Sequence, residues 1–235
     1  MKMLAIIAAF CAVCLVAYCV LIGGGTVSWN QRLTIIIDTP AGEVRASSVV
    51  EVTNSETMGV LVLMAARGVH TKVRGEAVAM EVVPGRWLFM LLDGLDGTHR
   101  RADQLLRAAF DLSAGVPLRE RSYANNMTRL QNLPLDKPVP LPTQSYPLLV
   151  TFDDARKPET VRVVDPMDLS ATFGVGVSLR GMTLDVTNAV VTEGVVETVL
   201  TWLGPYPETR LYPTISPTDF SIEAQLHHGN FRGLR

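Results

Sequence analysis

Cysteine is scarce and confined to one place. The chain of 235 residues has three, Cys11, Cys14 and Cys19, and none after them. The remainder therefore lacks disulfides, thiolate metal sites and a cysteine nucleophile. No charge of one sign dominates either. Lys and Arg number 21 against 23 Asp and Glu, and no run of like charge occurs. That balance argues against a nucleic-acid surface and a polybasic lipid patch. No serine lies in a G-x-S-x-G elbow, and no G-x-G-x-x-G or P-loop follows a strand pattern. Internal repeats are missing, and an apolar content of 48% argues against extensive disorder.

What is present begins with Leu4–Ile22, 19 residues drawn only from Leu, Ala, Ile, Phe, Cys, Val and Tyr. As a helix at ~1.5 Å per residue this run would span roughly 28 Å, close to a bilayer core. A signal anchor or transmembrane helix over 1–25 is the expectation, because the run exceeds the usual length of a cleaved signal. The alternative is cleavage near Gly25, after Gly23-Gly24-Gly25, which would release a secreted protein. Lys2 before the run and only Arg32 soon after it place the N-terminus inside and the body outside.

The fold class expected is α+β: an N-terminal transmembrane helix, then a strand-rich extramembrane body with one or two packed helices. Residues 26–132 read as a strand-rich region. Leu33–Asp38 and Glu43–Val52 form its clearest hairpin, turned at Thr39-Pro40-Ala41-Gly42. Val60–Ala66 reads as a buried strand or short helix. Val69–Val73, Glu76–Val83 and Trp87–Leu92 read as further strands. An amphipathic helix over 99–112 follows, with Ala102, Leu105, Leu106, Ala109 and Phe110 on one face. Residues 133–147 carry five of the fourteen prolines and read as a linker or extended crossing.

Residues 148–226 read as a smaller α+β region with a βαβ-like order. In it, Asp165 caps a short helix that has Pro166 at its first position. Thr192–Leu203 is expected to be helical, and Phe220–Leu226 is expected as a last strand. Residues 227–235 read as a mobile tail.

The densest polar set is Asp93, Asp96 and His99. Two carboxylates and an imidazole are suited to acid–base work or to a metal, but their spacing matches no metal motif, and Asp-Gly pairs form turns. His227-His228 is a candidate metal pair that reads more simply as solvated residues. Asp153-Asp154 reads as a loop charge pair before it reads as a catalytic dyad. Asn126 and Thr128 fit the glycosylation acceptor pattern, which applies only in a eukaryotic secretory pathway.

Two sets of segments carry a resemblance: Arg32–Thr34, Thr39–Gly42 and Ser47–Val52 around the hairpin, and Val164–Gly174 with Val186-Thr187 and Thr201–Leu203. Together they resemble a group of bacterial proteins of unknown function, over most of the body. The resemblance implies a bacterial chain and hence a periplasmic body. It attaches no activity or catalytic residue.

The expected function is a membrane-anchored periplasmic interaction or scaffolding protein, held in the bacterial inner membrane by a single pass. It would contact membrane lipid through Leu4–Ile22 and a protein partner through its body. No cofactor, metal or nucleic-acid partner is expected. Two alternatives stand beside it. One is a hydrolase-type enzyme using the Asp93/Asp96/His99 loop. The other is a small-ligand or peptide-binding module, for which a closed pocket lined by Trp87, Phe89 and Phe110 would be the mark.

Overall fold

A computed structural model describes residues 25–57, 68–92, 101–110, 129–130, 132–212 and 219–233. Its strands are β1 (Thr26–Thr39), β2 (Gly42–Thr57), β3 (Gly68–Arg74), β4 (Val78–Val83), β5 (Arg86–Met90), β6 (Val139–Pro140), β7 (Leu149–Phe152), β8 (Val161–Val163) and β9 (Ser178–Thr187). The α-helices are α1 (Ala102–Phe110), α2 (Leu169–Phe173), α3 (Val195–Val199) and α4 (Ile222–Gln225). Two compact units result, Met1–Ser28 with Thr53–Lys72, and Trp29–Val52 with Val73–Arg235. The candidate site lies wholly within the second.

The strands form two sheets, ordered β3-β2-β1-β9-β6 and β4-β5-β7-β8. The hairpin arises from strict alternation. Gln31, Leu33, Ile35 and Ile37 are buried, while Arg32, Thr34, Ile36 and Asp38 between them are partly exposed. At its turn the Thr39 hydroxyl donates to the Gly42 carbonyl at 2.8 Å and accepts from Ala41 N–H. Strand β9 runs antiparallel to β1, with Leu33 opposite Leu184 and Ile35 opposite Met182. Strand β6 then covers β9 at the sheet edge, where its proline removes no central ladder bond.

In the second sheet β4, β5, β7 and β8 pair antiparallel in turn. Its core combines aliphatic residues such as Leu91, Leu148, Val150 and Leu200 with a group of rings. Phe89 meets Phe152 edge-on at 5.7 Å and Phe231 at 5.9 Å, and Trp202 meets Phe152 at 5.7 Å.

This architecture corrects the expected fold class. The described ladders between named strands are antiparallel, not βαβ, and β9 belongs to the sheet of β1. Among the described residues the helices are few and short. Among the described residues no helix is long and apolar enough to cross a membrane. Leu4–Ile22, on which the membrane expectation rests, lie outside the described residues, as do Val60–Ala66.

Several local expectations change for identifiable reasons. Asp168, not Asp165, caps α2 by accepting from Ala171 N–H at 3.1 Å; the Asp165 carboxylate instead closes a turn onto Met167 N–H. Only Val195–Val199 of the expected Thr192–Leu203 helix is α-helical, in a stretch rich in β-branched residues. The last strand is instead α4, because the Ser221 hydroxyl caps Ala224 N–H. The expected mobile tail is overturned over residues 227–233, the part that is described. Phe231 and Asn230 are wholly buried. Phe231 C=O accepts from Ala77 N–H at 2.8 Å, Asn230 C=O from Leu92 N–H at 2.9 Å, and Gly233 N–H donates to Gly75 C=O. An apolar ring able to complete the cluster outweighs the flexibility of the flanking glycines.

Candidate binding site

Trp87 stands on β5 opposite Glu81, just after the Pro84-Gly85 turn. Gly85 adopts φ +75°, a conformation that L side chains rarely take, and its N–H donates to the Glu81 carboxylate at 2.7 Å. The Thr151 hydroxyl on β7 anchors the Trp87 carbonyl at 2.6 Å. Beside Trp87 opens a surface hollow. It is bounded by Gly85, by Asp153–Arg156 in the β7–β8 turn, and by Thr198 and Val199 at the end of α3.

The β7–β8 turn is held by its own bonds. The Thr160 hydroxyl donates to Asp154 C=O and accepts from Asp154 N–H. Lys157 N–H donates to Asp154 C=O at 2.8 Å, and the Trp202 indole N–H holds Ala155 C=O at 2.8 Å. The Arg156 guanidinium grips the Asp154 carboxylate with two bonds, 3.0 and 3.2 Å, yet remains 84% exposed. Asp153 pairs with Arg162 at 2.5 Å. The Arg156 contacts hold the Asp154 carboxyl below the usual carboxylate range. These two aspartates, adjacent in sequence, are thus each answered by a separate arginine and are not a shared-proton dyad.

Helix α3 is placed by Glu76, which the sequence presents as an ordinary strand residue. Its side chain is buried, and its two oxygens accept from Gly194, Val195 and Val196 N–H at 3.0, 2.9 and 3.2 Å. A carboxylate at a helix N-terminus satisfies the donors that lack intrahelical partners. Burial pushes the Glu76 carboxyl above its usual value; the three N–H bonds pull against that, and Glu197 adds a smaller upward push.

A second buried carboxylate lies on the first sheet. Asp185 is 1% exposed and faces Arg32 at 3.3 Å. Arg32 also reaches Asp136 at 3.2 Å and the Thr187 hydroxyl at 2.9 Å. Asp185 Oδ2 accepts no hydrogen bond. Burial raises the Asp185 carboxyl, with Arg32 opposing and Asp136 adding to the rise.

The other sequence candidates fare differently. Asp93, Asp96 and His99 lie outside the described residues, as do Asn126 and Thr128. The two terminal histidines take separate surroundings. His228 is buried beside Trp202, ring centres 5.3 Å apart, and its Nδ1 accepts from Gly204 N–H at 3.1 Å. Burial lowers its imidazole below the ordinary value. His227 precedes the short turn His228–Asn230, and its backbone N–H donates to Asn230 Oδ1 at 2.8 Å. Of the three residues whose closed pocket would mark a ligand-binding module, Trp87 lines an open hollow, Phe89 is wholly buried in the core, and Phe110 does not line the hollow. Sequence signals for the hollow existed only in part: Trp87 after a Pro-Gly turn, and the Asp-Asp loop. Nothing local linked them to Glu76 or to α3.

Compared with known proteins, the chain matches no family model, no curated protein sequence and no solved structure.

Proposed function

We propose that the chain is a non-catalytic binding module that holds a small ligand, or a side chain of a partner, in the hollow beside Trp87. The observation that carries this reading is the preformed polar wall around an aromatic ring. The turn Asp153–Lys157 is held by internal bonds, so its groups need little further ordering when a ligand arrives. General-base work needs a free lone pair and a pKa near the working pH. Asp154 has a lowered pKa and accepts from Arg156 on both oxygens. The Thr198 hydroxyl donates to Val195 C=O rather than to a base.

Placement of this module at or beyond a membrane, bound to lipid through Leu4–Ile22, rests on the composition of that run. Fractionation of cells into membrane, periplasmic and cytoplasmic pools tests it, and recovery in the cytoplasmic pool alone would contradict it.

Ligand-observed NMR with the full chain and a library of small polar and aromatic compounds tests the binding reading. The expected result is a set of binders whose signals recover when Arg156 is replaced by Ala. Finding no compound that distinguishes the native chain from Arg156→Ala would refute it.

A further inference from the structure

The chemistry of the hollow narrows the class of ligand, and this step rests on the binding reading above. We propose that the hollow takes a neutral, hydroxyl-rich ring, a pyranose unit of a saccharide, laid against Trp87. Charge comes first. Each acid at the hollow has its own base, Asp153 with Arg162 and Asp154 with Arg156, so the local formal charge sums to zero. A phosphate or carboxylate ligand would need an unanswered cation, and a cationic ligand an unanswered acid. Among the residues that line the hollow neither is on offer, and Lys157 and Glu81, which flank it, carry opposite charges that cancel. A purely apolar ligand would cover charged groups and give them no replacement for water.

A pyranose meets both requirements at once. Its C–H face suits an aromatic surface, and its hydroxyls both donate and accept. Trp87 is only partly buried, and no described group accepts its indole N–H. Asp153 is about half exposed, at 51%, and makes a single ion pair, which leaves its carboxylate acceptor capacity for hydroxyl protons. The Arg156 fork spends two donors on Asp154 and keeps others facing water. Asp153 and Arg156 both line the hollow, and neighbouring hydroxyls suit such a pair, donating to the one and accepting from the other. The turn that carries both is already fixed, so a weakly interacting polar ligand loses little to ordering.

The test is calorimetric titration of the full chain, kept in a detergent without a sugar headgroup, with neutral gluco- and N-acetylglucosamine oligosaccharides. Indole fluorescence is followed in parallel. At least one series should bind saturably with little dependence on salt. Trp87→Ala should weaken it about tenfold or more, and Trp87→Phe less than that. Arg156→Ala should weaken binding while leaving the melting temperature unchanged, which separates loss of the site from loss of the fold. Binding confined to charged compounds, with steep salt dependence, would overturn the sugar assignment. So would failure of every saccharide while the NMR library still gives Arg156-dependent binders, a result that leaves the binding reading standing. Failure of both would overturn both.

Discussion

In its second-unit portion, the five-stranded sheet buries aliphatic residues: Leu33, Ile35 and Ile37 from β1, Val50 and Val52 from β2, Met182 and Leu184 from β9. The four-stranded sheet buries aliphatic residues as well but adds rings to them: Phe89, Phe152 and Phe231 touch one another, and the partly buried Trp202 touches Phe152 and Phe231. The aliphatic core is filled largely by a hairpin whose strands adjoin in sequence. The ring core is assembled from stretches as distant as Phe89 and Phe231. The first can tolerate small losses strand by strand. The second depends on a few large side chains and on the last residues of the chain. The candidate site sits on the second, where separate segments are brought together and fixed.

The two buried carboxylates extend the contrast. Glu76 accepts three backbone N–H bonds, whereas Asp185 depends on a single partly exposed arginine. One is built into the backbone framework, the other into a side-chain network on the sheet face.

The largest break should come from Phe231→Ala, which removes a fully buried ring and is expected to cost about 3–5 kcal/mol in denaturant unfolding. Ile37→Val, equally buried in the aliphatic sheet, should cost about 0.5–1.5 kcal/mol. A cost for Phe231→Ala no larger than that of Ile37→Val would mean that the ring does not complete the cluster.

Glu76→Ala is next. It strips the acceptor from three N–H groups, each worth about 1–3 kcal/mol where it stays unpaired in the interior. Hydrogen exchange at Val195 and Val196 should rise selectively. Unchanged protection there would mean that Glu76 does not hold α3.

Acid titration of the melting temperature sharpens the comparison further. Glu76 and Asp185 both have raised folded-state values. From the ordinary carboxylate range up to those values the folded chain binds more protons than the unfolded one. Stability from these groups is therefore present below that window and lost as pH rises through it. Asp154, Asp168 and Asp219 have lowered values, so their contribution is lost as pH falls below the ordinary range. Glu76→Gln and Asp185→Asn should each flatten the decline on the upper side and leave the acid-side loss in place. A decline undiminished in both variants would assign it to other groups.

How much of this was legible beforehand follows from range in sequence. The hairpin was legible because alternation and a Thr-Pro-Ala-Gly turn are local signals. The buried stripe Ala102, Leu105 and Leu106 of α1 was legible from helical spacing. Phe231 was not, since a ring among glycines and basic residues carries no periodicity. Glu76 was not, because its partners lie more than a hundred residues away. Trp87 and Asp153-Asp154 were visible as separate features, and only the pairing of β5 with β7 makes them neighbours.

The smallest structural effect is the most informative about function. Arg156 and Arg180 are both exposed arginines in surface ion pairs, one at the hollow and one with Asp38 and Glu43 on the first sheet. Replacing either with Ala should leave the melting temperature essentially unchanged, as expected of solvent-exposed ion pairs. Titration of the native chain and both variants with the same ligand is the direct test. The account predicts that Arg180→Ala binds as the native chain does and that Arg156→Ala binds more weakly. Equal binding by all three proteins would contradict the assignment of function to the hollow beside Trp87.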